Sequence, residues 1–180
     1  MTEILTDQIV YTFFRLGLVS GLLPREAVFA WVDCQILQRE LPTEALIELS
    51  LAERLSYSQV AHLLNVYQEG ADLNLPAKML LAQAGRLLKQ DAGQVVRLIQ
   101  GLSLLNAEYY LSTDLRTGIT NLDTCLQEYR SGSVTQAQLV KCLAVYLRRF
   151  NLYTKHVTSI LDGTFQNTPG VNARARRGAG

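Results

Sequence analysis

A chain of 180 residues has the length of one domain and can bury a substantial single core. With 48% hydrophobic and 18% charged residues it lies outside the composition of disordered chains. A net charge of +1 offers no global field to draw nucleic acid or an anionic membrane.

In chain order, the first helix is expected from Asp7 to about Val19, with Ile9, Val10, Phe13, Phe14 and Leu16 on a broad apolar face and Ser20-Gly21 as its stop. Pro24 opens a second helix, where its missing N–H costs nothing, and Val28, Trp31, Val32 and Ile36 form one stripe. Trp31, the sole tryptophan, is expected in the core, and Asp33 on the wet side. Pro42 restarts the pattern, with Ala45, Leu46 and Leu49 inward and Glu44 and Glu48 outward. The stretch 22–51 therefore reads as a helical hairpin on which the remaining helices pack.

Ser56 and Gln59 have the spacing of a capping box ahead of Val60, Leu63, Leu64 and Tyr67, with Gly70 as a stop. Ala71–Leu75 reads as a connector, and Pro76 as the start of a fifth helix carrying Leu80, Leu81, Ala84, Leu87 and Leu88. Asp91/Gln94 and Thr135/Gln138 repeat the capping-box spacing before two further helices, and Gly101 weakens the first of these by up to ~1 kcal/mol relative to Ala. Residues 106–113 read either as a continuation or as a break. Leu115, Ile119, Leu122, Leu126 and Tyr129 mark the next helix, which ends at Ser131-Gly132-Ser133. Leu139, Leu143, Tyr146 and Phe150 mark the eighth, and a last helix runs from about Leu152 to Leu161, ahead of Gly163. The expected class is all-α: one helical domain over 1–163, a bundle or irregular stack of αα-hairpins with eight or nine helices. Residues 164–180, polar and bearing Arg174, Arg176 and Arg177, read as a flexible tail.

Little catalytic chemistry is on offer. His62 and His156 have no second histidine at i+3 or i+4 and no HExxH pattern. Neither a Gly-rich phosphate loop nor a GxSxG elbow is present. We therefore expect no enzyme, no cofactor and no metal site. Cys34, Cys125 and Cys142, odd in number and spread along the chain, read as reduced structural thiols. Acidic Glu3 and Asp7 near the N-terminus do not suit a signal peptide, and no apolar run reaches the ~20 residues that span a bilayer, so the expectation is a cytoplasmic protein with no membrane partner.

Charge is distributed unevenly. Residues 1–92 carry 7 Lys/Arg against 11 Asp/Glu, whereas residues 93–180 carry 10 against 5. Glu40, Glu44 and Glu48, four residues apart around Pro42, are the candidate face for a protein partner with a basic surface; a solvated face is the plainer alternative. A second alternative is DNA association through residues 55–66, LSYSQVAHLLNV, which look like the first helix of a helix–turn–helix. The acidic, Pro-containing stretch that follows makes nucleic acid an unfavourable partner. A third is a subunit or adaptor of a bacterial assembly.

Three runs carry a family resemblance: Tyr11…Arg15-Leu16-Gly17-Leu18-Val19, then Trp31-Val32-Asp33…Ile36, then Pro42…Leu46-Ile47-Glu48-Leu49-Ser50-Leu51. Over residues 10–66 the chain resembles small bacterial helical proteins of uncharacterised type, some of which look like immunity proteins encoded beside polymorphic or contact-delivered toxins. The resemblance implies a non-enzymatic binding module that neutralises a cognate toxin by docking on it.

Overall fold

The computed structural model describes residues 5–67 and 72–164. Nine α-helices follow one another without a strand among those residues. They are α1 (Asp7–Val19), α2 (Arg25–Gln38), α3 (Glu44–Leu51), α4 (Tyr57–Val66), α5 (Asn74–Gln90), α6 (Val95–Glu108), α7 (Thr113–Arg130), α8 (Gln136–Leu147) and α9 (Thr154–Leu161). Short 3-10 segments at Ala52–Arg54, Ala92–Gln94 and Arg148–Tyr153 link α3 to α4, α5 to α6 and α8 to α9. The fold is all-α.

Helix α1 is buried almost all round, from Val10 to Leu18 with the exception of Arg15, which a helix surrounded by others requires. Thr6 caps it, its hydroxyl accepting from the Ile9 N–H at 3.4 Å. Its aromatic side meets α2: Trp31 is only 1% exposed and lies 5.7 Å from the Tyr11 ring and 5.5 Å from Phe14. Gly21 and Gly163, where the pattern predicts stops, have φ of 67° and 69° and end α1 and α9.

The centre of the molecule is α5 and not the α2–α3 hairpin expected to organise it. Helix α5 touches α1, α6, α8, the 148–153 segment and α9. Ten of its seventeen residues are buried, among them Ala77, Ala82, Ala84 and Gly85 beside Met79, Leu80 and Leu81. Small side chains let several helices approach one axis at once, which a leucine-only stripe cannot do. The hairpin instead packs α2 on α3 and touches α9.

Several boundaries shift. Pro24 is the N-cap of α2, and Thr43 rather than Pro42 caps α3, accepting from Leu46 N–H at 3.4 Å. Helix α5 begins at Asn74, inside the expected connector, with Pro76 still in its first turn. Residues 106–113 resolve into the end of α6 at Glu108, an extended Tyr109 and a new start at Thr113. The final helix loses its first two residues to the 3-10 segment. The Gly70 stop, most of the 164–180 tail and Glu3 lie outside the described residues.

Candidate functional site

Helix α3 has eight residues and two unlike faces. Ala45, Leu46 and Leu49 are buried against the body of the protein. At 100° per residue Ile47 and Leu51 form the ridge opposite, and Glu44 and Glu48 form a second ridge beside it. All four are exposed, Ile47 by 48% and Leu51 by 79%. Leu37 in the last turn of α2 and Leu41 in the connecting loop are exposed by 86% and 88%. The hairpin therefore presents four large aliphatic side chains to solvent next to two carboxylates.

The charges there are uncompensated. Glu44 sits in the first turn of α3, where the helix dipole favours it. The carboxylate of Glu48 accepts from the Tyr67 hydroxyl at the end of α4. That bond, followed by burial and the charges of Glu48 and Glu44, pushes the Tyr67 phenol up to about 12. Glu40 is exposed in the loop before α3 and is not among the groups acting on Tyr67. Glu44 and Glu48 thus share one ridge of α3, and Glu40 lies in the loop that precedes it. None of the three makes an ion pair among the described residues. Two arginines of α2 and its C-terminal end are committed to other partners. Arg39 forks onto both carboxylate oxygens of Asp7 at 2.8 Å and bonds Gln35 Oε1 at 2.9 Å, tying the end of α2 to the start of α1. Arg25 donates to the Leu55 carbonyl and lies over the Phe29 ring.

A second feature lies on the far half of the chain. Helices α7 and α8 form an antiparallel hairpin, and between them runs an open groove of about 730 Å³. Gly118 leaves room for Tyr146: an added Cβ would fall 2.1 Å from the ring, whose hydroxyl donates to the Leu115 carbonyl at 3.2 Å. Burial pushes the Tyr146 phenol up to about 12, against the opposing pull of Arg149. Further along the same groove Cys125 of α7 and Cys142 of α8 meet. All three cysteines are free thiols, and these two, far apart in sequence, share one groove. Cys142 is exposed and Cys125 half-buried, and the two are close enough for Cys142 to act on the Cys125 thiol. Cys125 lies five residues before the end of α7 and Cys142 six after the start of α8, so an antiparallel pairing of the two helices sets them at nearly one level.

His62 is exposed on α4 and His156 half-buried on α9. Among the described residues no group of three or more His, Cys, Asp or Glu gathers to hold a metal ion, and no helix is long and apolar enough to cross a membrane. Comparison with protein-family models, with curated proteins and with solved structures finds no match to this chain.

Proposed function

We propose that this chain is a non-enzymatic protein-binding module that docks through its α2–α3 hairpin on a partner surface combining cationic and apolar groups. The observation that carries it is the outer face of α3, where exposed Ile47 and Leu51 run beside Glu44 and Glu48. Desolvated aliphatic side chains supply affinity at the centre of an interface, and complementary charge supplies association rate and register. An immunity protein that neutralises a bacterial toxin with a basic surface is one instance of this function. It rests on the resemblance of residues 10–66, which span this hairpin.

The helix–turn–helix alternative loses support from the placement of α5. A recognition element must lie free to enter the major groove. The helix that follows α4 is instead packed into the core, with ten of its seventeen residues buried.

Affinity capture from extracts of the native host tests the proposal, with three baits: the wild-type chain, E44K/E48K and I47S/L51S. Each variant alters exposed side chains, so circular dichroism should match wild type. The expected result is one partner recovered by wild type, lost with I47S/L51S, and bound by E44K/E48K about tenfold more weakly and with less dependence on salt. Retention of that partner by both variants, or capture of none by wild type, overturns the proposal.

A further inference from the structure

The α7–α8 groove places two thiols where chemistry can reach them. The hairpin register that seats Tyr146 over Gly118 also brings Cys125 level with Cys142, from facing helices into one cleft. Their accessibilities differ in a useful way: Cys142 is open to solvent and Cys125 lies half-covered behind it. Lys141 and Arg149 stand exposed on the same wall, an arrangement that suits a small molecule carrying carboxylates. The third thiol is differently placed. Cys34 lies on α2 under the turn that ends α9, where a Cβ on Gly163 would fall 2.5 Å from its sulfur.

We propose that Cys125 and Cys142 form a redox site that closes reversibly to a disulfide across this groove by exchange with a small anionic disulfide such as oxidised glutathione. The exposed Cys142, as thiolate, attacks one sulfur of the small disulfide; that S–S bond breaks and one small thiolate leaves. Cys125, having lost its proton, then attacks the Cys142 sulfur of the mixed disulfide. The second small thiolate leaves, and the Cys125–Cys142 bond forms. The two protein thiols together lose two electrons and two protons, and the small disulfide gains them as two small thiols. Burial, reinforced by the neighbouring Cys142, raises the Cys125 pKa, so this thiol stays protonated longer and is disfavoured as the first attacker. Closure would pin α7 to α8 and withdraw both thiols from the groove.

The full chain carrying Cys34→Ser, which leaves only the paired thiols, is incubated with excess oxidised glutathione and followed by intact mass and by non-reducing peptide mapping. The expected product has lost two hydrogens and carries no adduct. Its two mapped peptides are joined 125 to 142, it has a higher Tm than the reduced form, and dithiothreitol reverses it. Adding Cys125→Ser should stall the reaction as a stable glutathione adduct on Cys142. A persistent adduct on Cys142 with Cys125 intact, a disulfide between two chains, or two thiols that remain free overturns the proposal.

Discussion

At Gly101 two opposing effects meet, and their sizes decide the outcome of a substitution. Intrinsic helix propensity favours alanine there by up to ~1 kcal/mol, which is why the glycine reads as a weak point in a leucine-rich stretch. The structure supplies what that stretch leaves out: a Cβ at Gly101 would lie 2.5 Å from the Ser20 carbonyl oxygen and 3.2 Å from Leu22. The obstacle is backbone at the end of α1, fixed by the Ser20 N–H bonding to the Leu16 carbonyl at 3.0 Å. Opening that approach is an overpacking cost of about 1–3 kcal/mol, larger than the propensity gain. Gly101→Ala should therefore lower stability by about 1 kcal/mol, read as a lower urea midpoint at unchanged slope. A more stable G101A protein would show that α6 does not approach α1 this closely. The cysteines teach a similar lesson. Each sits in an apolar neighbourhood along the chain, and only the pairing of α7 with α8 reveals that two of them share a cleft.

Among the elements, the ends of helices were the most readable part of the chain, because a cap is a contact over three residues. Ser56–Gln59 and Thr135–Gln138 both build complete capping boxes: the Gln side chains accept from the Ser56 and Thr135 N–H groups at 2.8 and 2.7 Å, and the two hydroxyls accept in return at 3.4 and 3.3 Å. Asp91 and Gln94 share the spacing and do something else. The Asp91 carboxylate accepts from Gly93 N–H at 2.8 Å, and the Gln94 side chain donates to that same carboxylate at 3.1 Å. The result is a 3-10 turn ahead of α6, since an anionic acceptor draws the amide N–H₂ that a hydroxyl cap leaves free. Ser56→Ala and Thr135→Ala should each cost about 1 kcal/mol, additive in the double variant because the caps serve separate helices. Equal urea midpoints for wild type and both single variants would show that the boxes do not hold in solution. The role of α5 was harder to read. Periodicity finds its leucines, whereas its central position depends on which helices return to it from far along the chain.

Across the whole molecule, the class and most helix boundaries followed from local patterning, but half of the candidate face did not. Glu44 and Glu48 could be placed outward from their spacing, whereas Ile47 and Leu51 look like core residues until α3 is seen to bury only its other side. A property of the packed whole also governs the alkaline limit of stability. Tyr11 is buried with its ring 5.7 Å from Trp31, and its hydroxyl lies beside the Thr43 side chain without a well-formed hydrogen bond. Burial first, then the charge of Asp7, raises its phenol from 10.0 to about 12. Between those values the unfolded chain has released the proton and the folded chain still holds it. Stability contributed by the neutral phenol is therefore complete below pH 10 and is lost as pH rises toward 12, at up to about 1.4 kcal/mol per pH unit. Tyr67 and Tyr146 shift in the same direction, but both are more open to solvent and more strongly screened, so Tyr11 should lead. Urea midpoints should hold steady to about pH 10 and then fall. Tyr11→Phe keeps the ring and removes a poorly bonded buried hydroxyl, so it should match wild type at neutral pH and lose stability less steeply above pH 10. If wild type and Y11F decline with the same slope, the Tyr11 phenol is not held neutral by the fold.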